Sequence, residues 1–532
     1  MSAAAERQQQ LAQSTCSSRV WSQLLPELAE KIAAAAQFRA PHHTTYRLSK
    51  PVPPHAFAAH WLAPGATRGL TLQRRRQLLS LTAASGVVAN LEVAVQAAGC
   101  LLTYDVLRSA AKAGQLDSCV WLREHGCPTE DDDSDCSGLL AAAASGGHRH
   151  VCEWLLGLGL TWRSSGADQA ARGGHVGLME WLLQRRPELT VIRNPGSEKR
   201  LLIAGVAHGC DLLTLQRLWR GWGNLDEPTK GEALKAAGGG PTPDWAAKVE
   251  WLMAQGCQRR SCPWPAVECP DAVARLAWLR ARGFPFKPFC VNVAAATGNA
   301  AAVQYLLGEA GVRLSSLDPR NVAGPAARGG HLAVLQALHA AGWLRHNAAD
   351  CARTAASYGH LHVLAWLVET FGAEAVRMDT GLFNAAAASG SVPLMAWLRE
   401  RGCGWGRGAL TAAAESGCEE AVEWLLARGC PVEADGASPI SACERGDLAM
   451  ARLLRRMGAP WGAAGDVTSY AAQNAPLPLL RLLLEEGCPV RDYEAARRGA
   501  VGRASGREEV LELLEAHRRQ AQEGEVYEGV SA

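Results

Sequence analysis

The chain has no apolar run of about eighteen residues, so no segment reads as a transmembrane helix. Residues 1–13 lack the apolar core of a signal peptide and carry only Glu6 and Arg7 as charged side chains. Net charge is just +2 over 532 residues, which leaves no strong field of either sign. The sequence has no Gly-x-Ser-x-Gly elbow, no Gly-Lys-Ser/Thr phosphate loop and no His-Glu-x-x-His pair. The Gly-rich run Gly402, Gly404, Gly406 and Gly408 around Trp405 follows a helical pattern rather than a strand, so it reads as a loop and not as a nucleotide cradle. Cysteine is plentiful at 17, but no Cys-x-x-Cys step joins Cys257, Cys262 and Cys269, and no zinc site is expected. These absences argue against an enzyme, a cofactor or metal, and a membrane partner. The basic clusters Arg74-Arg75-Arg76, Arg259-Arg260 and Arg518-Arg519 are isolated, and the acidic run Glu130 to Asp133 opposes them. On this reading nucleic acid is not expected as a partner either.

One amphipathic unit is present many times. AVEWLLARGCP at Ala421 recurs as VCEWLLGLG at Val151, KVEWLMAQGC at Lys248, LMAWLRERGC at Leu394 and LLRLLLEEGCP at Leu479. An aromatic slot holds the register: Trp121, Trp154, Trp181, Trp251, Trp278, Tyr305, Trp366, Trp397 and Trp424. Ala94, Arg217, Ala337, Arg452, Arg481 and Glu512 hold the slot where the aromatic is lost, and successive spacings then run from 27 to 36 residues, which gives about fifteen units over roughly residues 78–517. Upstream of the slot lies Ala-Ala-x-x-Gly, as at Ala355-Ala356 with Gly359 and Ala413-Ala414 with Gly417. Paired alanines favour a helix and let a neighbour approach closely, and the Gly ends it. The second half, as in Leu361 to Leu367, carries apolar residues at helical steps. Each unit therefore predicts helix, tight turn, helix and a variable loop. The slot aromatics are expected to be buried between units. Loops and an irregular stack are expected from Glu188 to Pro243, which holds Gly238-Gly239-Gly240 and Pro241-Thr242-Pro243. Six cysteines (Cys100, Cys127, Cys257, Cys403, Cys430 and Cys488) follow the helix-ending Gly and read as reduced, buried thiols.

This pattern resembles the ankyrin repeat, with Gly147-His148, Gly174-His175, Gly330-His331 and Gly359-His360 matching its Gly-His junction. The Thr-Pro-Leu-His opening of that family is nearly absent, many units are short, and Trp stands where the consensus has Leu. The resemblance is to the divergent, Trp-containing arrays of protists and algae. It implies an all-α, ankyrin-type helical repeat solenoid that binds a protein partner through its concave face, as a monomer. Extra aromatics in the loops, Trp162, Trp264, Phe286, Trp343, Trp405 and Trp461, are the candidate partner-binding residues. The alternative is that each packs on the loop of the next unit.

Ahead of the array, Leu24-Leu25-Pro26-Glu27-Leu28 with Ile32 resembles the opening of an F-box, although the rest of that domain is not evident. Leu25, Pro26, Leu28 and Ile32 would then dock a cullin-ligase adaptor, and the protein would be a substrate-receptor subunit. The other reading is a capping helix on the first repeat. The chain is thus divided into a disordered N-terminus (1–17), an F-box-like or capping segment (18–77), the repeat array (78–517) and a disordered tail (518–532). With no targeting signal evident, a cytoplasmic or nuclear scaffold is expected, and an organelle transit peptide stays open.

Overall fold

The computed structural model describes residues 52–530 apart from 131–136, 161, 163, 165, 186–194, 260–263, 315–317, 345–346, 433–435, 461–465, 489, 491 and 504–505. Every regular element among the described residues is helical, and no strand occurs among them. The helices alternate in pairs from Leu72–Ser85 with Val88–Ala98 to Tyr493–Val501 with Arg507–Val530, fifteen pairs in all. In the unit ending at Ala281 the first helix shrinks to a 3-10 turn, Trp264–Glu268.

The local cause is visible in one unit. In Ala348–Ser357, Ala352, Ala355 and Ala356 are fully buried, because a methyl is all that fits where neighbouring first helices touch. Gly359 then takes φ 67°, which any side chain would resist. There the His360 amide donates to Ala355 O at 2.8 Å, closing the helix end. The second helix, Leu361–Phe371, buries Val363, Leu364 and Leu367 against its partner and neighbours.

First helices pack closely on one another along the chain: Tyr104–Lys112 on Ser137–Ser145, that one on Ala167–Arg172, and on through Pro195–Gly209 and Glu227–Gly238. Second helices touch one another more sparsely. The stack therefore curves toward the first helices, which form its inner face, and carries the second helices outside.

Several expectations need correction. The slot tryptophans are half-buried, not buried: Trp154, Trp251, Trp366 and Trp424 all keep an exposed edge. In Glu419–Ala427 the inward stripe is Ala421, Val422 and Leu425, so Trp424 lies beside the stripe. Its outer face is covered by Arg428, one turn on, at 4.2 Å from the ring centroid. The same i,i+4 cover recurs as Arg185 on Trp181 at 4.8 Å, Arg282 on Trp278 at 3.5 Å and Arg401 on Trp397 at 3.9 Å. His125 stacks on Trp121 at 3.8 Å in that place. The stretch expected to be loops is largely three helices, Pro195–Gly209, Leu212–Gly221 and Glu227–Gly238. The first paired helix begins at Leu72, ahead of the boundary read at 78, and the last runs on to Val530 through the residues read as a tail. All fourteen described cysteines are free, and all but Cys269 are buried. Burial pushes the Cys119, Cys127 and Cys152 thiols up to about 12, which makes them poor nucleophiles.

Candidate binding site at the superhelical seam

First helices end with carbonyls that have no partner in the helix. The next unit supplies one. His331 Nε2 lies 3.2 Å from Ala296 O, His360 Nε2 2.8 Å from Arg328 O and His362 Nε2 3.0 Å from Gly330 O. These histidines therefore reach back to the preceding unit. Where the junction lacks His, a buried cation does the same work. Lys248 Nζ donates to Ala207 O and Cys210 O, each at 2.8 Å, and Arg275 Nη1 to Gly238 O at 3.1 Å and Gly240 O at 2.9 Å.

Arg75 repeats this chemistry across a far larger separation in sequence. It is 1% exposed. Its guanidinium donates to Ala98 O at 2.7 Å, to Gly417 O at 2.9 Å and to the Asp447 carboxylate at 2.5 Å, 372 residues away. Burial alone would lower the Arg75 pKa, but the charge and hydrogen bond of Asp447 outweigh it and raise it. Asp447 also caps Leu448–Arg456 by accepting from the Met450 amide at 3.0 Å. Around this clamp the backbones interlock. The Leu101 amide donates to Gly446 O at 3.1 Å, the Ala449 amide to Gly99 O at 2.8 Å and the Glu420 amide to Arg68 O at 3.2 Å. Arg68 pairs with Glu423 and lies 4.0 Å from Glu419. Arg76 donates to Arg445 O.

The edge of the first unit thus rests on the opposite edge of units near residues 417–449. Twelve first helices, from Leu72–Ser85 to Ala409–Ser416, complete the circuit. The stack makes one full superhelical turn and closes on itself along a seam. Gly417 shows how tight the seam is. At φ 74°, a Cβ there would lie 2.6 Å from the Leu72 Cβ and 2.7 Å from Asp447 Oδ2.

Beside the seam the inner face encloses a cavity of about 1340 Å³. One wall is the start of Leu72–Ser85 and Tyr104–Lys112, and the other is the ends of Ala348–Ser357, Thr380–Ala388, Ala409–Ser416 and Ala437–Arg445. Arg74, Arg76, Arg108 and Arg445 face it together with Asp105, Glu130, Glu415 and Glu444. Both signs are mixed along the wall, as in the pairs Arg108–Asp105 at 2.7 Å and Arg445–Glu415 at 3.7 Å.

Among the described residues, none of the aromatics nominated from sequence lines this cavity. Trp162 is buried at 4% exposure. Trp264, Phe286, Trp343 and Trp405 are half-buried. Trp405 packs on Phe383 and carries Arg399 at 4.0 Å, and Trp264 meets Phe289 edge-on at 5.8 Å. Trp461 lies outside the described residues, as do Leu25, Pro26, Leu28 and Ile32. Sequence reading missed Arg75 and Asp447. The Arg74-Arg75-Arg76 cluster was the available signal: one side chain clamps the seam while its two neighbours face the cavity. Among the described residues no group of three or more His, Cys, Asp or Glu is placed to hold a metal ion, and no helix is long and apolar enough to cross a membrane.

No family model matches the chain, and no curated protein matches it. Solved structures similar to it include the pentatricopeptide repeat protein PPR10 in complex with an 18-nt psaJ RNA element. That structure shares 12% identity, with 93% of this chain and 83% of that one covered, at a TM-score of 0.27. The same protein from maize gives 13% identity, 88% and 86% coverage and a TM-score of 0.25. These belong to a different helical-repeat family from ankyrin. No family model or curated relative supports an ankyrin or F-box assignment, and the inter-unit loops form no strand hairpins among the described residues. The ankyrin and F-box assignments, and with them the cullin-adaptor partner, are corrected accordingly. The PPR10 structure is an RNA complex, and the expectation that excluded nucleic acid as a partner is withdrawn. What stands is an all-helical repeat solenoid.

Proposed function

We infer that the protein is a non-catalytic binding scaffold whose inner face takes an extended polypeptide segment of a partner protein. The observation that carries this reading is the mixed lining of the seam cavity. Four arginines and four carboxylates line it together. A peptide chain offers an amide donor and a carbonyl acceptor at every residue and carries side chains of both signs, so such a wall can satisfy it throughout. A polyphosphate would meet the arginines but also face the carboxylates. Buried, unreactive thiols and the lack of a catalytic constellation in the sequence favour binding without chemistry.

The test is a photo-crosslinking amino acid at Ser109, which lines the cavity, in the full-length protein. Irradiation in cell extract is expected to yield polypeptide adducts that disappear in the Glu415→Lys, Glu444→Lys double variant. Adducts to RNA in place of polypeptide would overturn the reading.

A further inference from the structure

In an open solenoid each unit touches only its neighbours. Here residues more than three hundred positions apart share a buried ion pair and three backbone hydrogen bonds. We propose that the seam is a latch: the superhelical turn is held shut by charge and opens along this line, giving side-on entry to the inner face without threading of a free end.

Three features support a parting line here. The contact is made by turns and helix ends, with no helix packed broadly on another across it. Its outer part is ionic and solvent-facing, since the Arg68 side chain is 44% exposed and the partner Glu423 31%. Its inner part is one pair, Arg75–Asp447, whose separation would leave two charges and the Gly417 carbonyl to be taken up by water entering from the cavity. Within the stack, by contrast, apolar side chains join every unit to the next. Opening at the seam separates no pair of helices packed as neighbouring first helices are within the stack. This latch does not depend on what the cavity binds.

Hydrogen exchange reads it directly, because three amides report only on the seam: Leu101, Glu420 and Ala449. The first variant is Glu423→Lys, which sets a like charge against Arg68 at a partly exposed position. The second is Asp447→Asn, which keeps a capping oxygen and removes the buried charge. Both are expected to speed exchange at the three amides by roughly tenfold or more, while the His360 amide inside a unit is unchanged. Raising salt from about 0.05 M to about 0.5 M should do the same in the wild-type protein, more weakly. Small-angle scattering should show a larger maximum dimension for both variants. If the Lys variant leaves the three amides and the maximum dimension unchanged, the latch is refuted, whatever Asp447→Asn does. Exchange that rises uniformly along the chain in both variants also refutes it, since that is loss of fold rather than opening.

Discussion

The same problem, unpaired carbonyls at the end of a short helix, is solved by three residue types in this chain. His, Lys and Arg each donate to the preceding first helix. Their differences set testable consequences. Lys248 is fully buried and its neighbours depend on it, so Lys248→Met leaves Ala207 O and Cys210 O without a charged donor. A loss of at least about 2 kcal/mol in chemical denaturation is expected. His360 acts as a neutral donor, and burial holds its pKa down at about 4 against an ordinary 6.5. A lowered folded-state value means the stability it confers is complete above pH 6.5 and is lost as the pH falls from there toward 4. His360→Gln should therefore flatten part of the fall in melting temperature across that window. On the outer surface Arg428 covers Trp424. Arg428→Ala should cost about 0.5–1 kcal/mol, far less than loss of a core residue, because the ring keeps its inner contacts.

At the scale of the element, the helix pair was legible because its causes are local. Paired alanines, a following Gly and an apolar stripe at helical spacing all lie within one unit, and the structure places helices on them from Leu72 to Val530. The half-burial of Trp424 was not legible, since Ala421, Val422 and Leu425 define the inward direction only once the neighbouring unit is in place. Nor was the long helical run from Pro195, where tertiary packing overrides a Gly- and Pro-rich composition. The seam was hidden for another reason. It depends on the small rotation of each unit added twelve times, and no window of sequence contains both Arg75 and Asp447. Gly417 belongs to both descriptions. It ends a helix, as any such Gly does, and it also leaves room for Leu72. Gly417→Ala should destabilise by more than the about 1–2 kcal/mol of a left-handed alanine, and Gly429→Ala, where a Cβ at φ 76° would meet nothing within 4 Å, serves as the control for that conformational part alone.

For the whole molecule, closure changes how stability is shared. A linear stack loses stability locally when one unit is damaged. A closed turn joins its two ends, so removal of residues 409–532 should raise exchange in Leu72–Ser85 more than in Trp245–Ala254, although the latter lies nearer the cut in sequence. Equal protection of the first helix in both forms would contradict this. Closure also bears on how such a chain can evolve. An open array tolerates duplication of a unit, which merely lengthens it. Here one additional copy between Tyr104 and Ser416 would carry Gly446 a whole unit past Gly99, and Asp447 past Arg75. Like the staves of a cask, the units within the circuit are fixed in number. Copies can be gained or lost only beyond the join, in the stretch from Asp466 onward.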